Sequence, residues 1–568
     1  MSVLDGTLTA PGSRLLRSRL LFPLVDRVAI EERLDGLALL VDGPDLLEQV
    51  RSALTGQLDV ERLAARLALE KASPRDLLGL EVSVHQGLVL AALTQEKALA
   101  LAPGTSWPPE SRERLHAAAA RLGAALLRDP PPTLLEGGLI QPGFDPELDE
   151  LRHLRDHSQE VLDAYLQEEQ QAANLPQLKI RYNKIIGYYF EVSKARLDQL
   201  PAHFRRKQSL VGSERFTTPR LGEIEDTLLH AQERIYELER RLFLLLRDEL
   251  KSLVPDFQAL AAWSAALDVA AALARCAVLQ RFVRPHFSDV SELVLDAARH
   301  PVVEAALAPA PFVPNSVVFG PEDTLFLITG PNMAGKSTYL RQTALIVLLG
   351  QIGSFVPASA ARWSLVDRIF CRVGASDHLA RGESTFLVEM NETAHILRNA
   401  TPASLVIMDE VGRGTGTRDG FSLAWAICEH LLEVVGAKTL FATHFHELTA
   451  LKHPGLKNWS MAVLEEGDEV VFLRQVVPGA ADHSYGLHVA RLAGVPGPVL
   501  VRAAQILENL PSEDGTAVPK RGRILPEAQL DLFAPEDVLR AELRSLEIDH
   551  LTPLDALNLL ARLKCEAR

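Results

Sequence analysis

The sequence predicts a multidomain protein with an α-helical domain, a helical arm that carries a small β tip, and an α/β domain with a mostly parallel sheet. Three observations support this order. Leu, Ala and Arg recur at helical spacing over residues 12–125, strand-like residues fill 178–219, and apolar strands alternate with helices from about residue 285. A chain of 568 residues that is 47 % hydrophobic is long enough to bury several cores.

The N-terminal region is predicted to be helical over residues 1–133. Val60, Leu63 and Leu67 in DVERLAARLALEKA fall on one helical face, and the prolines at 130–132 mark a break. No run of 18 uncharged apolar residues occurs, so we expect no membrane-spanning helix. The first residues make a poor signal peptide, and the four cysteines are scattered, which favours reduced thiols, a cytoplasmic location and no structural zinc site.

Residues 134–259 predict the helical arm. One polar helical pattern runs from Pro146 to about Asn174, and another runs from about Gly222 to Leu253. Each helix of roughly 30 residues would be about 45 Å long at a rise of 1.5 Å per residue. Between them, LKIRYNK, IIGYYFEVSK and SERFTTP have strand character. We therefore expect two uninterrupted helices that carry a β tip.

The tip is basic within an acidic protein. Residues 178–220 contain ten Lys or Arg against three acidic residues, a local charge of +7, whereas the chain carries −15. A solvated charged surface is the alternative, but interleaved tyrosines favour contacts with a nucleic-acid backbone. No helix-turn-helix or zinc-finger pattern occurs there, so the contacts should position the protein rather than read sequence. The predicted DNA-binding residues are Lys184, Lys194, Arg205, Arg206, Lys207 and Arg215.

The C-terminal half predicts an α/β fold. Strands at 325–328, 404–408 and 438–443 alternate with helices at 338–350 and 421–435, the pattern of a mostly parallel sheet. A helix is expected within 260–288, the α/β domain over 289–510, and a linker with a short helical tail over 511–568.

A phosphate-binding loop follows the first of these strands. Gly330, Gly335, Lys336 and Ser337 form G-x-x-x-x-G-K-S between a strand and a helix, although a glycine-rich turn can match by chance. Backbone N–H groups and the helix N-terminus would bind phosphate. Lys336 would reach the β- and γ-phosphates from a solvent-facing loop, and the Ser337 hydroxyl would hold Mg²⁺.

Two further strands end in residues suited to nucleotide hydrolysis. The strand SLVIM ends in Asp409 and Glu410, of which Asp409 would hold Mg²⁺ through water and Glu410 would polarise the attacking water. The strand KTLFAT ends at His444, which is placed to contact a γ-phosphate. A strand followed by an acidic turn is common, and a lone His is usually structural. Beside a phosphate loop, they predict an ATPase that uses ATP and Mg²⁺.

The motifs together resemble the ATPase of the MutS DNA mismatch-repair family, which is an ABC-type ATPase. TGPNMAGKST, GESTFLVEM, LVIMDEVGRGT and FATH carry this resemblance. LDGTLTAPGSRLLRSRL resembles the start of the family's lever domain, and EGGLI with GYYFEV resembles its clamp. The resemblance implies a lever over 1–133, a DNA clamp over 134–259, a lever return helix over 260–288, and an ATPase with dimerisation helices over 289–510.

The resemblance also implies residue roles. The ATP site would comprise Gly330, Pro331, Asn332, Met333, Ala334, Gly335, Lys336, Ser337 and Thr338, with Phe312 stacked on adenine. Asn332 would assist near the γ-phosphate, and His444 would be the family's switch histidine. Ser384 would complete the ATP site of the other subunit, which implies a homodimer. Residues 484–486 and the helices to about Leu510 resemble the dimerising segment.

Three departures from the family pattern stand out. The chain starts at the lever, so we expect the N-terminal mismatch-recognition and connector domains to be missing. Gly416 replaces a usual Ser, which puts fine contacts of that loop in doubt, and Ala334 replaces a frequent Gly. The alternative function is therefore a MutS-family regulator, or a binder of recombination or branched DNA, that does not recognise mismatches.

A short peptide suggests a further partner. Gln529, Leu530, Leu532 and Phe533 in QLDLF resemble the motif with which bacterial repair proteins bind the replication sliding clamp. A Gln and spaced apolar anchors suit a preformed groove, although the same residues could form the first turn of the tail helix. The family also implies a MutL-like repair partner beside double-stranded DNA.

Overall fold

The computed structural model describes residues 1–94, 102–131, 133–134, 136–183, 186–209, 212–331, 333–373, 385–466, 469–480 and 485–509. These residues belong to one compact unit, Met1–Asn509, and a second unit begins at Leu510. Several predicted residues lie outside the described ranges. They are Lys184, Asn332, Ser384, Ser484, the linker over 511–528, and the peptide residues Gln529, Leu530, Leu532 and Phe533.

The N-terminal region is helical, which confirms the prediction for residues 12–125. Its helices are α1 (Ala10–Leu21), α2 (Arg27–Val41), α3 (Pro44–Leu54), α4 (Val60–Ala68), α5 (Pro74–Thr94) and α6 (Pro109–Ala125). Pro residues open α1, α3 and α6, where a missing N–H costs nothing. Asp26 and Asp59 cap α2 and α4 by accepting backbone N–H bonds.

One alanine-rich helix forms the centre of this region. Helix α10 (Val254–Gln280) is buried along most of its length, and α1, α2, α3 and α4 pack against it because its small side chains allow close approach. The helix was predicted within 260–288. It starts earlier, at Val254, and ends earlier, at Gln280, since a β-strand (His286–Ser288) follows. Helices α5 and α10 are long and apolar enough to cross a membrane, but 61 % and 78 % of their apolar windows are buried inside the protein.

A buried carboxylate fastens the start of the chain to α10. Asp268 is fully buried and accepts hydrogen bonds from the backbone N–H of Leu8 (2.9 Å) and of Thr9 (2.8 Å), and from the Thr9 hydroxyl (2.6 Å). Thr9 is also the N-cap of α1, so the carboxylate lies near the positive end of that helix. Burial raises the pKa of Asp268, and these hydrogen bonds oppose the rise. A Cβ at Gly12 would come within 2.2 Å of an Asp268 oxygen, so this contact also requires glycine.

The arm differs from the prediction in its first helix. The expected single helix is divided into α7 (Pro146–Asp156) and α8 (Ser158–Ala172), because His157 leaves helical geometry at φ −101° and ψ 17°. The returning helix α9 (Pro219–Lys251) is continuous over 33 residues, as expected. The arm therefore pairs one straight helix with one that is interrupted near its middle.

The β tip has four antiparallel strands in the order β1-β2-β4-β3. They are β1 (Lys179–Asn183), β2 (Gly187–Ser193), β3 (Arg205–Ser209) and β4 (Ser213–Thr217). Strand β3 was not singled out from the sequence because RRKQS has no apolar residue and is exposed throughout. Phe190, Phe204 and Phe216 form the tip's core, together with Tyr165 and Leu221 from the arm helices.

The C-terminal half has the predicted parallel sheet. Its order is β10-β11-β12-β8-β13-β14, parallel from β10 to β13 and antiparallel only between β13 and β14. These strands are β8 (Leu325–Thr329), β10 (Ile369–Arg372), β11 (Leu405–Asp409), β12 (Lys438–Ala442), β13 (Leu456–Glu466) and β14 (Glu469–Pro478). The central strands β8, β11 and β12 are buried at every position, which their continuous apolar sequences require.

The remaining elements surround this sheet. A second sheet has the order β5-β9-β6-β7, formed by β5 (His286–Ser288), β6 (Leu293–Ala298), β7 (Asn315–Phe319) and β9 (Ala360–Ser364). The helices are α11 (Pro301–Leu307), α12 (Lys336–Gln351), α13 (Thr385–Asn399), α14 (Thr417–His430), α15 (Gly486–Leu492) and α16 (Gly497–Asn509). Helix α12 begins two residues before the predicted 338–350. The predicted helix 421–435 is divided into α14 and a π-helical turn, Leu431–Val435.

Replacing Asp268 by Ala should destabilise the helical region by about 2–3 kcal/mol, because three donors, two of them buried, lose their acceptor. The measurement is urea unfolding followed by circular dichroism. Asp289→Ala is the matched control, because Asp289 is 91 % exposed and its ion pair with Arg27 lies at the surface, so its loss should cost less than about 1 kcal/mol. Equal midpoints for the two variants would contradict a structural role for Asp268.

Candidate functional site

The loop between β8 and α12 has the backbone of a phosphate-binding turn. Gly330 and Gly335 adopt φ 125° and 109°, values that L side chains rarely reach, and Met333 adopts φ 71°. Ala334 is fully buried, so the small residue that replaces the frequent glycine fits here. Because α12 begins at Lys336, the N–H groups of its first turn have no partner within the helix, as an anion site requires.

Lys336 is buried, and the expectation of a solvent-facing loop was wrong. Its side chain is 4 % exposed, and its ammonium donates to the carbonyl oxygens of Gly330 (2.5 Å) and Pro331 (3.1 Å). Burial lowers the pKa of Lys336, an effect that the nearby Glu410 carboxylate opposes. The loop therefore holds a positive charge at the point where its backbone can receive phosphate.

Asp409 and Glu410 lie at the carboxyl end of β11, as predicted. Asp409 is buried, and its Oδ1 has no hydrogen-bond partner among the described residues. A buried carboxylate oxygen without a donor suits a divalent cation or a water bound to one, so the residues fit Mg²⁺. Glu410 adopts a left-handed backbone conformation at φ 56°, which costs about 1–2 kcal/mol for a residue other than glycine and marks a constrained position.

His444 and an arginine that the sequence did not single out lie beside Glu410. Arg413 Nη1 is 2.5 Å from Glu410 Oε2, and Arg413 Nε donates to His444 Nδ1 at 3.4 Å. The Lys336 ammonium is 4.0 Å from Glu410 Oε1. Burial, then the charges of Arg413 and Lys336, lower the pKa of His444. The structure thus gathers Lys336, Glu410 and His444, which follow the ends of three different strands.

A cavity of about 180 Å³ opens beside the loop. Phe312 and Met333 line it together with Tyr339 and Arg474. The Tyr339 hydroxyl donates to Ser316 O at 3.0 Å, which fixes the floor of the cavity. The cavity has the mixed apolar and polar lining that a nucleobase requires, and Phe312 lies where stacking on a base is possible. Arg474 could not be found from sequence, because only the fold of β14 brings it here.

Another buried carboxylate connects α13 to the turn that carries Glu410. Glu389 is 4 % exposed, accepts from the backbone N–H of Gly412 at 2.5 Å, and lies 3.4 Å from Arg372. Gly412 adopts φ 93°, and a Cβ there would meet the carbonyl oxygen of Gly420 at 2.6 Å. The turn after β11 is therefore held rigidly between α13 and α14.

The basic tip is less positive than its sequence count. Arg206 pairs with Glu214 at 2.7 Å, and Lys207 approaches Glu225 at 3.5 Å from α9, outside the counted segment. Arg215 stacks over the Tyr189 ring at 4.5 Å. Lys194 and Arg205 are exposed, and within the part of the chain that the structure describes they form no ion pair. Of the five predicted residues that the structure describes, these two are the most available to a phosphate backbone.

Comparisons with known proteins agree with this architecture. Residues 1–274 match the family model of MutS domain III, and residues 326–511 match that of MutS domain V. The chain is similar to the DNA mismatch repair protein MutS of Anaeromyxobacter sp. (strain Fw109-5), with 45 % identity over all of this chain and 67 % of that protein. It is similar to the protein of the same name from Treponema pallidum (strain Nichols), with 45 % identity over all of this chain and 65 % of that protein.

A third relative is the DNA mismatch repair protein MutS of Solibacter usitatus, with 43 % identity over all of this chain and 66 % of that protein. The chain thus spans about two thirds of the length of the curated relatives it matches. Matches of this identity along the whole chain, together with the two domain models, show that the chain belongs to the MutS family of DNA mismatch repair proteins.

Proposed function

We propose that this chain is an ATP-dependent DNA-binding clamp that hydrolyses ATP to ADP in mismatch repair. The observation that carries the proposal is the cluster at the carboxyl edge of the parallel sheet. There, a buried lysine in a phosphate-binding turn faces Glu410, and Asp409 presents a buried oxygen that has no hydrogen-bond partner in the described part of the chain. Perturbed and buried charged groups in a concave site are typical of catalysis rather than of stability.

In this proposal each residue has one task. The Ser337 hydroxyl and Asp409 hold Mg²⁺, which neutralises charge on the ATP phosphates when bound. Lys336 exchanges its bonds to the carbonyls of Gly330 and Pro331 for the β- and γ-phosphates. Glu410 polarises the attacking water, and His444 contacts the γ-phosphate from β12. Asn332 assists near the γ-phosphate, and Phe312 stacks on adenine in the adjacent cavity.

The proposal extends to assembly and to the domains. Ser384 completes the ATP site of a second copy, so the active form is a homodimer with two composite sites. Residues 1–133 serve as the lever, 134–259 as the DNA clamp, 260–288 as the lever return, and 289–510 as the ATPase. A MutL-like protein and the sliding clamp, through Gln529–Phe533, are the proposed partners in the cytoplasm.

The tip contacts duplex DNA through its phosphates. Its strand β3 is exposed at every position and carries Arg205, Arg206 and Lys207, and the amide oxygen of its Gln208 accepts a hydrogen bond from Arg215 at 2.8 Å. Phosphate contacts position a protein on DNA without reading its sequence. The tip should therefore bind all duplex sequences with similar affinity.

Lys336→Met should abolish ATP turnover while keeping the fold, because the methionine fills the buried space of the lysine stem but has no charge for the phosphates. Glu410→Gln should still bind ATP but hydrolyse it ~10²–10⁴-fold more slowly, because it keeps the shape and loses the base. The measurements are phosphate release and binding of a fluorescent ATP analogue. Turnover of both variants at the unmodified rate would refute the assignment of the site.

Phe312→Ala should raise the KM for ATP about tenfold with little change in kcat, because stacking on the base is the same in the ground and transition states. Val318→Ala is the matched control, since Val318 is an exposed apolar residue on the neighbouring strand β7 and does not line the cavity. A fall in kcat with unchanged KM would place Phe312 outside the base site.

Lys194→Glu combined with Arg205→Glu should weaken DNA binding and lower the slope of log K against log salt by about one per lost phosphate contact. Both residues are exposed, so the tip core is preserved, whereas reversal of Arg206 or Lys207 would also break pairs with Glu214 or Glu225. The control is Lys452→Glu with Arg398→Glu, which makes the same charge change on the α/β domain.

The titrations should use homoduplex, mismatched and four-way-junction DNA at fixed salt. The proposal expects the tip variant to lose similar affinity for the homoduplex and the mismatched duplex. An unchanged salt slope would show that Lys194 and Arg205 do not contact phosphates and that DNA binds elsewhere on the protein. Tighter binding of the junction than of either duplex would favour the alternative function in recombination.

A further inference from the structure

Arg413 occupies the space between two residues that must act on the γ-phosphate. Its guanidinium contacts Glu410 Oε2 through Nη1 at 2.5 Å and His444 Nδ1 through Nε at 3.4 Å. The other oxygen of Glu410 faces the Lys336 ammonium at 4.0 Å. Both oxygens of the general base therefore face cations, and one of them is engaged by a direct charge-assisted hydrogen bond.

A carboxylate in this arrangement is poorly placed to polarise water. Activation of the nucleophile requires a lone pair of Glu410 aimed at a water that is itself in line with the γ-phosphate. Lys336 is drawn away when phosphate is bound, because the β- and γ-phosphates carry more negative charge than one carboxylate. Arg413 lies on the His444 side of Glu410, so the departure of Lys336 does not by itself release the carboxylate.

The backbone around Glu410 cannot yield, but the Arg413 side chain can. Gly412 is held by the 2.5 Å bond to Glu389 and by close contact with Gly420, and Glu410 has the constrained φ of 56°. In contrast, the Arg413 side chain is 41 % exposed, whereas that of Glu410 is 21 % exposed. A change in the Glu410–Arg413 pair must therefore come from rotation of the arginine into solvent.

We propose that Arg413 is a positioning residue that restrains Glu410 in the resting state, so that hydrolysis waits until the arginine leaves the carboxylate. This inference rests on the proposed ATPase function and adds a control step to the same site. The restraint explains why an arginine with ready access to water is directed inward, at a residue whose chemistry needs a free lone pair. It also assigns a function to the residue that bridges β11 and β12 at the catalytic edge.

The test is the basal ATPase activity of Arg413→Ala in the full chain without DNA. We expect kcat to rise roughly two- to fivefold, the factor that a partly exposed ion pair supplies, with KM unchanged. Local damage to the fold would lower kcat, so a gain separates a restraint from a merely structural contact. The control is Arg418→Ala, which should leave kcat unchanged. Arg418 is an exposed arginine of the same segment, and it makes no ion pair with the described residues.

Two further variants show whether Arg413 acts through Glu410. Arg413→Ala in a Glu410→Gln background should be as slow as Glu410→Gln alone, because the restraint has nothing left to hold. Arg413→Lys keeps the charge but loses the planar fork, and should give a kcat between those of the unmodified chain and Arg413→Ala. A gain that persists in the Glu410→Gln background would overturn the inference.

Other outcomes are equally informative. A fall in kcat with a rise in KM would identify Arg413 as a phosphate contact and overturn the restraint. An unchanged kcat would also overturn the restraint. Should Arg413→Ala unfold, Arg413→Gln keeps most of the side-chain volume and takes its place with the same expectation. Failure of the proposed function is separate, because it would show as equal turnover by the unmodified chain and Lys336→Met.

Discussion

Parallel hydrogen bonding among β8, β11 and β12 is the constraint on which the rest of the α/β half depends. In parallel strands all carboxyl ends meet at one edge, and here these ends continue into the loop that we propose binds phosphate, into Asp409 with Glu410, and into His444. The N–H of Glu410 donates to Ala442 O at 2.9 Å, and that of Thr443 donates to Ile328 O at 3.0 Å, so the register of the sheet extends into the site itself. Because each of these strands is buried on both faces and largely apolar, the polar groups of the site lie at the carboxyl ends of the strands.

Three buried charges elsewhere in the chain form hydrogen bonds with backbone groups. Lys336 binds two carbonyls, Glu389 binds the N–H of Gly412, and Asp268 binds two N–H groups and a hydroxyl. Backbone groups are fixed by the fold, so they compensate the cost of burial without the entropy of ordering a second side chain. Asp409 differs from these three, because its Oδ1 has no hydrogen-bond partner among the described residues, which suits the metal-binding role that we propose for it.

The arm is stabilised differently from the α/β half. Its base joins the main core through residues such as Leu148, Phe243 and Leu250, whereas its tip is held by a small aromatic core around Phe190. The break at His157 interrupts one helix, while α9 stays continuous and pairs with α7 and with the tip. Charges at the tip therefore lie on a scaffold that is stabilised locally, where partial pairing with Glu214 and Glu225 limits the repulsion among the cations.

The sequence alone determined the features that depend on local pattern. Continuous apolar runs fixed the buried strands of the parallel sheet, glycine spacing fixed the phosphate-binding turn, and heptad-like spacing fixed the helical region. The acidic residues after β11 and His444 after β12 were found because a strand's carboxyl end has a defined place in a parallel sheet. These predictions needed no knowledge of distant contacts.

Only the tertiary structure decided which distant residues meet. No periodic pattern of apolar residues in the sequence indicates the break at His157 or the exposed strand β3, since both depend on packing and pairing with other elements. Lys336 is buried, and its ammonium lies 4.0 Å from Glu410 in the turn after β11, a contact that the loop sequence cannot show. Arg413, Glu389 and Arg474 lie at the site because three separate chain segments converge there, and such convergence is a property of the folded chain rather than of any local pattern.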